Sequence, residues 1–137
     1  MPVPTLTPIL PLYPSSGPDP ISVYISSLHR IASLPVKMVL PGHGEAFTDM
    51  QSKIEGTFKF VERKAGALLA ALAGESLNAY TVAAQMRLQF LGVDWEQLDL
   101  SHRCAAIQEA IAFLEFLRFD GRVVRHESDG VYYYARA

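Results

Sequence analysis

His43 stands between Gly42 and Gly44 in the run Pro41-Gly42-His43-Gly44, the most chemically suggestive stretch of the 137-residue sequence. Glycines on both sides let the backbone turn tightly and leave an imidazole reachable, as a metal ligand at the end of a strand requires. A plain turn carrying an exposed histidine fits the same four residues. Zinc takes three or four protein ligands, and a catalytic site leaves one position open for water. The other histidines, His29, His102 and His126, show no pairing at i+2 or i+4, and Cys104 is the single cysteine. His29 is expected on the solvent face of a helix, His102 in the first turn of another, and His126 in a hairpin. Glu45, Asp49 and Glu55 are carboxylates close to His43 in sequence. Acids also favour loop and helix-start positions for reasons of the helix dipole alone. No complete metal site can be assembled from these motifs.

Other chemistries leave no mark. The sequence has no glycine-rich phosphate loop, no Gly-x-Ser-x-Gly elbow and no Cys-x-x-Cys pair. Cys104 falls one position off the apolar stripe of its helix and is expected to be a half-buried structural thiol. A lone cysteine cannot close an intrachain disulfide, which points to a reducing, cytoplasmic compartment.

Seven of the nine prolines lie within the first twenty residues, so that stretch must be extended or turning. It has neither the basic start nor the unbroken apolar run of a signal peptide. Asp19-Pro20 then reads as a helix start, with the acid as N-cap and proline in the first turn. Ile21, Tyr24, Ile25, Leu28, Ile31 and Ala32 form its apolar face, and Leu34-Pro35 ends it. Val36–Leu40 has the profile of a short buried strand. A second helix is expected from Asp49 to about Ala73, with Ile54, Phe58, Val61, Ala65, Leu68, Leu69 and Leu72 along its stripe and Gly74 as its stop. Asn78 caps a shorter helix through Phe90. Ser101 is the expected cap of a long helix carrying Ala106, Ile107, Ala110, Ile111, Leu114 and Leu117. It closes at Asp120-Gly121. The period then changes to that of strands, and Asp129-Gly130 suits a tight hairpin turn. Tyr132, Tyr133 and Tyr134 are expected to pack in that hairpin's core and faces. The fold class is therefore α+β and mostly helical, with residues 51–137 ordered as three helices and a β-hairpin, the sequence of elements in a winged helix.

Composition agrees with one small globular domain plus an appendage. Half the residues are apolar and the mean hydropathy is +0.15, ample to offset the entropy of ordering. No apolar run approaches the roughly 18 residues of a membrane span. Twelve basic residues face fourteen acidic ones. Residues 1–64 hold six basic and five acidic residues, and residues 65–137 hold six and nine. A duplex-DNA reader needs several cations aimed at phosphates. Here Arg103 and Arg118 bracket Glu109 and Glu115, and Arg122 and Arg125 are offset by Glu127 and Asp129. Nucleic acid and membranes are thus not expected partners, and a winged helix would serve protein contacts.

The runs Tyr24–Ile31 and Leu34–Glu45, ending in Pro41-Gly42-His43-Gly44, resemble the end of a metallo-β-lactamase-fold hydrolase. Thr7-Pro8 and Leu12-Tyr13-Pro14 are similar to the segment preceding that helix in the family. The rest of the chain, beyond residue 50, resembles the winged-helix extension of one branch, the β-lactamase-like proteins. The resemblance implies an αββα sandwich of which residues 1–50 are the last portion, a winged-helix domain over 51–137, and two zinc ions in the parent enzyme. It assigns His43 the role of the last histidine ligand. The family's His-x-His-x-Asp-His motif, its next histidine and its bridging aspartate are absent from this sequence. Phe60-Val61-Glu62-Arg63-Lys64 stands where the family often has a His-Arg-rich helix start. The expectation is a hydrolase portion that binds no zinc and lacks catalysis alone. The apolar faces of residues 1–50 are expected to drive homo-oligomerisation or leave residues 1–20 poorly ordered.

Overall fold

The computed structural model describes residues 19–137. The expectations for the proline-rich start therefore lie outside the described residues. Helix α1 runs Pro20–Ala32, α2 Met50–Ala71, α3 Ala79–Leu91 and α4 Leu100–Phe119. Strand β1 is Leu77–Asn78, β2 Val123–Ser128 and β3 Val131–Arg136, and a 3-10 turn spans Trp95–Gln97. No helix among the described residues is long and apolar enough to cross a membrane.

Local chemistry sets the boundaries. The Asp19 carboxylate accepts from the Ser22 N–H at 2.8 Å, capping α1 as Asp19-Pro20 predicts. Asn78 does the same for α3, accepting from the Thr81 N–H at 2.9 Å. Gly92 ends α3 in the left-handed region at φ 62°, where a side chain would be strained. The cap of α4 is a correction: Asp99 accepts from the His102 N–H at 2.9 Å, and Ser101 lies inside the first turn. The two candidates sit two residues apart in Asp99-Leu100-Ser101, and the carboxylate is the better acceptor.

Helix α4 is the centre of the main core. Leu114 and Leu117 are fully buried, together with Leu68 of α2, Leu72 at its C-terminal cap, Val82 of α3, and Val123 and Tyr134 of the hairpin. Ile21 of α1 joins the same core. Ala112 and Phe113 are buried too, beyond the single stripe read from the sequence, because α4 is covered on several sides. Cys104 corrects another expectation: it is exposed, on the part of α4 nearest its open start.

The three strands form one antiparallel sheet in the order β1-β3-β2. Asp129 and Gly130 both take positive φ, 51° and 76°, the two-residue turn whose twist matches the strands it joins. Arg125 lies opposite Tyr134 across the β2–β3 pair. Both reach the buried Glu115 of α4: Arg125 Nη1 donates at 2.8 Å and the Tyr134 hydroxyl at 2.9 Å, each to Oε1. Arg118 Nε donates to Oε2 at 2.8 Å. Burial, followed by the Glu115 charge, pushes the Tyr134 phenol well above its usual range, so it remains a donor.

The strand expected at Val36–Leu40 does not form. Its place is taken by a single bridge in which Val39 and Phe47 exchange backbone hydrogen bonds at 2.8 and 3.1 Å. Met38 and Leu40 are exposed. A strand needs a neighbouring strand to satisfy its backbone, and among the described residues only Phe47 supplies one.

The central position of α4 makes a clear stability prediction. Leu114→Ala is expected to cost about 3 kcal/mol through lost burial and the cavity left behind. Leu88→Ala, at an exposed position of α3, is expected to change stability by less than ~0.5 kcal/mol. Urea unfolding of both variants checks the contrast.

Candidate functional site

His43 lies on the loop between the bridge partners Val39 and Phe47. The two hydrogen bonds of that bridge close the loop, and Gly44 turns it at φ 90°. The base of the loop rests on a second, smaller core of Leu28, Met50 and Ile54, with Tyr24, Val39, Phe47 and Phe58 packed against it. Gln51 Nε2 donates to the Ala32 carbonyl at 2.7 Å, tying the end of α1 to the start of α2 beneath the loop. The Lys53 ammonium stands 4.7 Å from the centre of the Phe47 ring. The glycine-flanked histidine is thus held out by a braced loop and is itself exposed.

His43, Gly44 and Glu45 form the mouth of an open cleft of about 470 Å³. Its floor is apolar, from Leu28, Val39, Phe47, Met50 and Ile54, and Lys53 and Thr57 of α2 form part of the wall. Tyr24 also lines it, with a buried hydroxyl that has no hydrogen-bond partner among the described residues. That burial raises the Tyr24 phenol above its ordinary value.

The structure brings together only part of what the sequence offers. Glu45 shares the cleft with His43. Asp49 does not, because its carboxylate caps α2, accepting from the Ser52 N–H at 3.1 Å. The Ser52 hydrogen bonds hold the Asp49 carboxyl below its usual value. Glu55 is exposed on α2 outside the cleft lining. His29 is exposed on α1, its ring stacked on Phe58 at 4.6 Å. His102 Nδ1 lies 2.8 Å from the Asp99 carboxylate, and His126 stacks against Tyr133 at 5.7 Å. No three His, Cys, Asp or Glu side chains converge among the described residues in a way that could hold a metal ion. The donors present, one imidazole with one carboxylate on the same cleft, fall short of the three or four that zinc takes.

Tyr24, Lys53 and Thr57 carry no mark of a site in the sequence. Tyr24 reads there as one more member of the α1 apolar face, and nothing local marks its hydroxyl as unpartnered. A second group is equally silent. Lys64 of α2, Arg87 of α3 and Glu109 of α4 meet in one ion cluster, Lys64 buried and the other two half-buried, with Lys64 and Arg87 on opposite oxygens of Glu109. The one available signal is spacing, since Lys64 falls between Val61 and Leu68 on the buried stripe.

Two solved structures are similar to this chain over most of its length. A β-lactamase domain protein from Burkholderia ambifaria superposes with a TM-score of 0.77 at 28% identity, covering 88% of this chain and 34% of its own. The fold is shared with metallo-β-lactamase-fold proteins. A metallo-β-lactamase family protein from Thermus thermophilus gives a TM-score of 0.68 at 26% identity, covering 87% of this chain and 34% of its own. The chain therefore spans about a third of the length of these structures. No protein-family model matches the sequence, and no curated protein is detectably similar to it.

The unpartnered hydroxyl gives this cleft a simple check. Tyr24→Phe removes a buried polar group that makes no hydrogen bond among the described residues, so stability is expected to stay level or rise by up to ~1 kcal/mol. Thermal unfolding of the variant measures it; a clear loss of stability means the hydroxyl has a partner.

Proposed function

We propose that this chain is one portion of a zinc-dependent hydrolase of metallo-β-lactamase fold, of the thioester, ester or RNA phosphodiester class, and that it supplies His43 as a metal ligand without being catalytic alone. The observation that carries this reading is the exposed Gly-His-Gly loop, braced by the Val39–Phe47 bridge, on a chain that matches a third of each similar structure. Two-metal hydrolysis requires several ligands and a bridging carboxylate to depress the pKa of a water. A single imidazole provides neither, so catalysis belongs to an assembly with more donors than the described residues hold.

Within that reading, residues 51–137 are a winged-helix domain of the β-lactamase-like branch. The order α2, β1, α3, α4, β2, β3 and the three-stranded sheet support it. Its use is for protein contacts, shaping the substrate side or a subunit contact. The cations that would face a nucleic acid are already engaged: Arg118 and Arg125 with Glu115, Arg122 with Asp120, and Arg103 with Glu96. The lone exposed thiol Cys104 supports a cytoplasmic setting. A self-standing winged-helix module is the second reading, favoured by the main core centred on α4.

Zinc stoichiometry separates these readings from an active enzyme. After incubation with zinc and dialysis, the chain is expected to retain well under one zinc per molecule, with His43→Ala making no difference. Two zinc ions per chain, lost in His43→Ala, contradict the claim that the chain is inactive alone.

The exposed apolar side chains Val23, Ile31, Leu34, Met38 and Leu40 form the basis of a homo-oligomer. Sedimentation equilibrium is expected to give a mass above the 15.1 kDa of one chain. The double variant Met38→Glu, Leu40→Glu is expected to shift it toward monomer. A wild-type chain that is monomeric throughout rules the association out.

A further inference from the structure

A second cleft, of about 430 Å³, opens between α2, α3 and α4, away from His43. The Lys64–Glu109–Arg87 cluster is part of its lining, together with Phe60, Met86 and Phe90. We propose that this cleft is a binding site for an organic carboxylate carried on an aromatic or short apolar body.

Charge counting on the lining decides the sign of the ligand. The cleft is lined by Arg63 and Lys64 from α2, Arg87 from α3 and Glu109 from α4, and by no other ionisable side chain. Three cations face one carboxylate. Glu109 contacts Lys64 through one oxygen and Arg87 Nη2, at 3.2 Å, through the other. An ammonium carries three N–H donors and a guanidinium five, so one shared carboxylate leaves donors and net positive charge facing the cleft. An excess of positive charge around a buried ammonium and two half-buried partners is relieved when a counter-charge joins it.

The walls decide the body of the ligand. The Lys64 ammonium sits 5.5, 5.7 and 5.3 Å from the ring centres of Phe60, Phe90 and Phe113. The Arg63 guanidinium lies 5.8 Å from both Phe60 and Phe90. Apolar walls with a few convergent polar groups are the ordinary make-up of a small-molecule site, and the volume falls within the usual range. A carboxylate at the cluster would leave an aromatic body against Phe60 and Phe90. Arg63 faces the two rings with no ion pair among the described residues, and such cation–π contacts hold it less firmly than an anion would.

The same cluster couples binding to pH. Burial, then the charge of Arg87, lowers the Lys64 ammonium to about 8 in spite of its contact with Glu109. An anion beside Lys64 favours the protonated amine and raises that value. Affinity is therefore greatest below pH 8 and falls as pH rises through 8 and the free site loses its proton.

Isothermal titration of the full chain with 4-phenylbutyrate, against its neutral amide, tests the site. The carboxylate is expected to bind at least tenfold tighter than the amide and to weaken from pH 7 to pH 9. Arg87→Gln and Arg63→Gln are each expected to weaken it at least fivefold. Arg63 is exposed, so its variant reports on binding even where Arg87→Gln disturbs folding. His43→Ala is expected to bind normally, which keeps this outcome apart from that of the metal proposal. Equal affinity for carboxylate and amide, no heat from either at millimolar concentration, or indifference to Arg63→Gln overturns the proposal.

Discussion

A carboxylate buried in a protein must keep its donors, and Glu115, 5% exposed near the middle of the buried run of α4, imposes that condition on the whole C-terminal part of the chain. Its three donors come from three elements: Arg118 from the helix, Arg125 from β2 and Tyr134 from β3. Arg125 and Tyr134 are directly opposed across the hairpin. A slip of one residue would turn both to the other face of the sheet and strand the charge. The hydrophobic contacts of Val123 and Tyr134 alone would tolerate more variation. The buried carboxylate therefore fixes where the hairpin sits on α4, and α4 in turn is the surface on which α1, α2 and α3 converge.

The other charged cluster differs in its setting. At Glu115 two arginines and the Tyr134 hydroxyl close on one carboxylate that is itself buried. At Lys64, Arg87 and Glu109 two cations again face one carboxylate, but Arg63 stands beside them and the group borders open space. The two clusters look alike in composition, and only their geometry separates a fastening from a receptive surface.

Much of the fold is legible in the sequence because its cues are local. Asp19-Pro20, Asn78 and Asp129-Gly130 each specify a start or a turn through side-chain acceptors or permitted φ, and the structure uses all three. Sequence and structure part where a local cue has a rival or needs a distant partner. Asp99 outcompetes Ser101 as an acceptor. Val36–Leu40 has the residues of a strand, but strand formation is a property of pairs. The expected burial of Cys104 rests on an α4 stripe that ignores how unevenly that helix is covered along its length. Of the candidate site, the Gly-His-Gly loop is legible because glycine's freedom is written into the sequence. The Tyr24 hydroxyl, Lys53 and the Lys64 cluster are not, since each depends on side chains from separate helices meeting in space.

Strand β1 is two residues long, and its register sets Leu77 against Tyr134 and Asn78 against Tyr133. Those partners are more than fifty residues apart along the chain, whereas β2 and β3 meet across a two-residue turn. Closing the longer loop carries the larger entropic cost, and few contacts form until it closes. In time, then, the hairpin and the helices are expected to come first and the outer strand last. Asn78 both pairs in that strand and caps α3, so the final closure of the sheet also sets how firmly α3 begins.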